Sequence, residues 1–144
     1  MHAGDQVPRS DLLEILDVIA EFGEILRPLQ AQFDLSEPLR YGCAVNSGYA
    51  AIGNFGDATI TDFTAMGDCV NKGFRLEKAT KEVGCDVLIG HETLRCLTPA
   101  MSPEKIVLTQ IVLRSYDEPE LVVKLQFGEL GQFARQLTVS SNGQ

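Results

Sequence analysis

Asn71 and Arg75 stand four residues apart in the run Gly67-Asp-Cys-Val-Asn-Lys-Gly-Phe-Arg-Leu-Glu77. At that spacing two side chains share one face of a helix. An amide donor beside a guanidinium fork suits an oxyanion such as a phosphoryl group in transfer. Thr64, just before the Gly67-Asp68 junction, can offer a hydroxyl to a base or ribose edge. On spacing alone, a solvated polar face is the commoner explanation of such a pair. Other chemistries have little material. His2 and His91 are the only histidines, which leaves almost nothing for a histidine metal site or a Ser-His-Asp triad. Cys43, Cys69, Cys85 and Cys96 form no C-x-x-C pair and fit buried free thiols in a reducing, cytoplasmic compartment. Neither a P-loop nor a dinucleotide-binding glycine fingerprint occurs.

The chain that must position these residues has 144 of them, enough for one domain with a sizeable core. A composition of 44% hydrophobic and 22% charged residues excludes a disordered acidic tail, a collagen-like repeat and a coiled-coil rod. Twelve basic residues against twenty acidic ones give a net charge of −8. That argues against a general nucleic-acid binder and against docking on an anionic membrane. A local basic pocket for one small phosphate ligand remains compatible with it. No apolar run reaches the length of a membrane span, and Met1-His-Ala-Gly-Asp5 lacks the pattern of a signal peptide.

Helical spacing at Leu12, Ile15, Leu16, Ile19, Phe22, Leu26, Leu29 and Phe33 predicts a helix from Leu12 to about Phe33. Ser10 or Asp11 can cap it, and Pro28 kinks or divides it. Strands are expected over Leu39 to Asn46 and Tyr49 to Phe55, and Thr59 to Met66 can continue the sheet. A helix follows from about Cys69 to Val83, with Val70, Phe74 and Leu76 apolar and Gly84 as its stop. Next come a buried strand at Cys85–Ile89, a short helix at His91–Leu97 and a loop at Pro99–Pro103. A hairpin of Ile106–Arg114 and Leu121–Phe127 closes the pattern, and a frayed tail follows Gly128. The expected class is α+β, with a mostly antiparallel sheet and helices on one face. The expected organisation is a flexible 1–10, a domain at 11–128 and a tail at 129–144.

Phe63-Thr-Ala-Met-Gly-Asp-Cys-Val-Asn71 with Arg75-Leu-Glu77 resembles the Y-T-V-I-G-D-T-V-N-x-A-x-R-L-E signature of class III adenylate/guanylate cyclase catalytic domains. Tyr41-Gly-Cys-Ala-Val-Asn-Ser-Gly-Tyr-Ala-Ala-Ile-Gly-Asn-Phe-Gly56 is similar to the family's R-V-G-I-x-T-G-x-V-V-A-G-x-I-G. Thr80-Lys-Glu-Val-Gly-Cys-Asp-Val-Leu-Ile-Gly-His-Glu-Thr-Leu94 looks like its T-K-x-x-x-x-x-I-L-I-S-E-x-T. The resemblance spans about residues 12–127 and implies a ferredoxin-like cyclase homology domain whose N-terminal strands are missing. It gives Asn71 and Arg75 the roles of orienting the ribose and neutralising the transferring phosphate. It makes Thr64 the purine-selecting residue, with ATP favoured over GTP. Gly48, Gly53, Gly56 and Gly67 fall at backbone turns.

The family's two metal-binding aspartates lie in D-x-x-G/S-F-T and G-D-x-x-x-A motifs, and neither motif is found in this chain. Mg or Mn serves the family, and none is expected to be held by this chain alone. Asp5 is read as coincidence and Asp68 as structural, capping the start of a helix. The resemblance implies a nucleotidyl cyclase domain, of the type that converts ATP to cyclic AMP and pyrophosphate, inactive by itself. It also implies a homodimer or a complementary cyclase subunit as partner. A degenerate dimerisation or nucleotide-binding regulatory module is the alternative, and a plain α+β scaffold with a solvated Asn/Arg face is the third. His91, Arg114 and Lys124 are expected as ordinary surface residues, and the acidic positions of the first helix as a solvated face.

Overall fold

Leu12, Leu16, Ile19 and Gly23 recur at helical spacing and form the buried stripe of α1, Arg9–Leu26. The computed structural model describes residues 7–57, 59, 61–98 and 106–139. Pro28 divides the helical region as its missing N–H requires, and a single turn, α2, Leu29–Gln32, follows it. The start of α1 differs from expectation. Pro8 precedes the first turn, no side chain caps it, and the Ser10 hydroxyl donates to Asp11 instead. Arg9 belongs to the fold: its guanidinium donates to the carbonyls of Leu97 and Leu137 at 2.8 and 2.6 Å.

The strands are β1, Cys43–Val45; β2, Ala51–Gly56; β3, Thr61–Met66; β4, Val87–Gly90; β5, Thr109–Ile111; and β6, Glu120–Leu125. Among them run α3, Asp68–Val83, and α4, His91–Leu97. Four strands form one sheet in the order β1-β4-β6-β5. β1 and β4 pair in parallel, and the other two pairings are antiparallel. β2 and β3 form a separate antiparallel hairpin rather than an extension of that sheet. The loop expected at Pro99–Pro103 lies outside the described residues.

Alternation along β4 and β6 sorts the core. Val87, Ile89 and Val123 pack with Val45 against α1 and α4. Leu88 and Val122 point the other way and meet Leu76 and Ala79 of α3. The α+β class and the mostly antiparallel sheet hold, but the helices cover both faces. The near-continuous apolar run of β4 is what a strand buried on both sides requires.

The segment after Gly128 also departs from expectation. A 3₁₀ turn at Phe127–Glu129 leads into α5, Leu130–Val139. Leu130, Phe133 and Leu137 are buried with α1 in the first core cluster, so this segment is packed rather than frayed. Asp86 ties the sheet ends together. Its Oδ1 accepts from Arg40 Nε and Nη2 at 3.0 and 2.6 Å, and its Oδ2 accepts from the Phe127 N–H. All four cysteines are free, but Cys85 is the one that is fully buried.

Candidate functional site

Helix α3 builds the site. Leu76, Ala79 and Thr80 bury one side of it against the sheet. Gly84 ends it in the left-handed region at φ +67°, where a side chain would be strained. Gly67 starts it in close quarters. A Cβ there would lie 2.8 Å from the Tyr49 carbonyl oxygen, so glycine lets the β3–α3 junction tuck under the loop before β2. Asn46 Nδ2 donates to the Cys69 carbonyl at 2.7 Å and fixes the same end of α3 to the chain leaving β1.

Asp68, Asn71, Arg75 and Lys78 form a neighbouring stripe on this helix. With Phe74 of the same helix, and Ser115 and Tyr116 of the β5–β6 connection, they line an open cleft of about 500 Å³. Three contacts hold the connection against the helix. Tyr116 donates its phenol proton to Asp68 Oδ1 at 2.9 Å. Lys72 Nζ donates to Glu120 Oε2 at 3.0 Å and lies 5.4 Å from the centre of the Tyr116 ring. Desolvation, reinforced by Asp68, raises the Tyr116 pKa. Burial alone would lower that of Lys72, but Glu120, Asp68 and Tyr116 more than offset it, and the ammonium is held above its ordinary value. Arg75 and Lys78 make no hydrogen bond or ion pair among the described residues.

The structure thus brings Asn71 and Arg75 to one cleft. Thr64 is exposed on β3, opposite Gly53, and is not part of the cleft wall. Asp68 is the first residue of α3 but caps nothing; its carboxylate serves Tyr116. Phe74, expected among the apolar positions of the helix, is 63% exposed and forms part of the cleft wall. Gly53 sits inside β2 rather than in a turn. His91 opens α4 half-exposed, Arg114 is exposed, and Lys124 donates to the Val83 carbonyl. Lys78, Ser115 and Tyr116 are the cleft residues that sequence reasoning missed. For Lys78 a signal was present, since it follows Arg75 by three positions on the same face.

A divalent cation finds no matching donor set here. Among the described residues no group of three or more His, Cys, Asp or Glu is placed to hold a metal ion. Asp68 is the cleft's carboxylate, already accepts from Tyr116, and stands on the same stripe as two cationic side chains. Hard cations are held chiefly by carboxylates, and among the described residues Asp68 is the one carboxylate on this wall, which it shares with Arg75 and Lys78. No described helix is long and apolar enough to cross a membrane.

No family model matches the chain. Over 78 residues it is 30% identical to an adenylate cyclase of Anabaena cylindrica, covering 54% of this chain and 16% of that protein. The crystal structure of the adenylyl cyclase CyaB from P. aeruginosa superposes with a TM-score of 0.60 at 24% identity. That match covers 85% of this chain and 62% of the CyaB chain. The chain shares the fold of that CyaB structure. A bacterial light-regulated adenylyl cyclase gives a TM-score of 0.40 at 21% identity, over 62% of this chain and 27% of that one. This chain spans about one sixth of the curated relative it matches and less than two thirds of the CyaB chain. Its β2–β3 hairpin carries Ile52 and Phe63 on one face, 69% and 75% exposed.

Proposed function

We propose that this chain supplies the phosphate-steadying half of an adenylyl cyclase site, acting on ATP with a complementary cyclase subunit that brings the metal carboxylates. The observation that carries this reading is that Asn71 and Arg75 both line the α3 cleft, with the Arg75 guanidinium in no hydrogen bond or ion pair among the described residues. Closure of the cyclic phosphodiester places negative charge on the α-phosphate. A pre-positioned guanidinium and amide stabilise that charge without reorganising. Thr64, 11 residues before Arg75 in the chain and outside the cleft wall, is assigned to the purine by resemblance alone. Mg or Mn would be held by the partner's acidic groups, since among the described residues no group of three or more His, Cys, Asp or Glu is placed to hold a metal ion.

Complementation tests this. The chain is mixed with a class III cyclase subunit that retains its metal aspartates but has lost its own Asn and Arg. Cyclic AMP is then measured with MnATP. Cyclic AMP is expected from the mixture and not from this chain alone. Arg75→Ala should abolish it. Activity that survives Arg75→Ala refutes the assignment.

A second reading is a cyclase-like dimerisation or nucleotide-binding regulatory module in signal transduction. The exposed apolar face of the β2–β3 hairpin favours it. Failure of complementation together with a stable dimer would select this reading.

A further inference from the structure

We infer that Lys78, acting with Arg75, makes the α3 cleft a site for a diphosphate or longer phosphate chain rather than for a single phosphate. The inference rests on the phosphate-binding reading above and adds a residue to it. Most basic side chains of the described residues are committed. Arg9 donates to two carbonyls, Arg40 pairs with Asp86, Lys72 pairs with Glu120, and Arg27 and Arg95 pair along their own helices. Lys124 donates to a carbonyl. Arg75, Lys78, Lys81, Arg114 and Arg135 have no such partner among the described residues, and of these five Arg75 and Lys78 are the two that line the cleft.

Two uncompensated cations side by side repel each other, and a bridging anion relieves that. Their Cα atoms are separated by three helical residues, about 4.5 Å along the axis, which suits two linked phosphates better than one. The two groups divide the work. The planar fork of Arg75 fixes an oxyanion by paired hydrogen bonds, and the flexible ammonium of Lys78 follows the second phosphate. Asp68, the carboxylate on the same wall, is drawn off by Tyr116 at the start of the helix.

The full chain is titrated with pyrophosphate and, separately, with orthophosphate, without divalent cations, and followed by amide chemical shifts. The wild type should bind pyrophosphate at least about tenfold more tightly than orthophosphate. Lys78→Gln should weaken pyrophosphate about tenfold and erase that preference while leaving orthophosphate nearly unchanged. Lys78→Arg should restore it, and Lys81→Gln, on the last turn of α3 and outside the cleft wall, should match wild type. Equal affinity of the wild type for both anions overturns the inference. So does wild-type pyrophosphate binding by Lys78→Gln, or an equal loss in Lys81→Gln. The cyclase reading fails separately, by an absence of cyclic AMP on complementation whatever these titrations give.

Discussion

The Tyr116 phenol and the Asp68 carboxylate meet at 2.9 Å, joining the β5–β6 connection to the first turn of α3. The bond is solvent-accessible, so its energetic weight is small; its effect is to hold one wall of the cleft. Tyr116→Phe should lower stability by less than about 1 kcal/mol. It should also loosen the connection, seen as faster amide exchange at Ser115 and Tyr116. Unchanged exchange there would show that Lys72 and Glu120 suffice to hold the wall.

Leu76 and Phe74 are neighbours on α3 with opposite fates. Leu76 is fully buried against β4 and β6, and Phe74 faces the cleft. Leu76→Ala should cost about 2–5 kcal/mol, because it leaves a cavity in the second core cluster. Phe74→Ala should stay within about 0.5 kcal/mol, as an exposed substitution does. Urea midpoints of the two variants, at equal slope, decide it.

Alkaline pH should destabilise the protein through identifiable groups. Burial raises the Cys43 and Cys85 thiols, desolvation and Asp68 raise Tyr116, and Glu120 raises Lys72 against the opposing effect of burial. In each case the folded pKa lies above the unfolded one. The associated stability is therefore complete below the unfolded values, about 8.5 for thiols and about 10 for tyrosine and lysine, and is lost as pH rises through the folded values. Denaturation midpoints should fall from about pH 9 upward. Lys72→Met should flatten the upper part of that fall, and an unchanged profile would remove Lys72 from the explanation.

The hairpin of β2 and β3 should mediate self-association. Ile52 and Phe63 lie on one face of it, far more exposed than large apolar groups usually are. Sedimentation should show a dimer for the wild type and a monomer for Phe63→Asp, with thermal stability of the monomer unchanged to within a few degrees. A wild-type monomer at high micromolar concentration contradicts this.

Legibility followed local chemistry. Pro28 divides the N-terminal helix because a ring nitrogen cannot donate, and Gly84 stops α3 because only glycine takes that φ readily. Both effects act within a turn and can be read from single residues. Asn71 and Arg75 were legible for the same reason, since one helix positions both. Tyr116 was not, because it reaches the cleft only when a distant connection folds back onto α3, 48 residues from Asp68. Leu130, Phe133, Ala134 and Leu137 carry helical spacing, but the burial that makes α5 part of the core comes from α1, more than 100 residues earlier in the chain. The two-faced burial of the sheet was implicit in the apolar run of β4, but which helix covers which face is set by packing between segments far apart in sequence.

The β2–β3 hairpin shares no ladder with the four-stranded sheet and is tied back through the short junction at Gly67 and the Cys69 thiol's contact with the Tyr49 carbonyl. It can therefore detach as a local unit while both core clusters stay intact. Its amides should lose protection at a lower free energy than those of β4 and β6, so it forms a separate, softer cooperative unit of the fold.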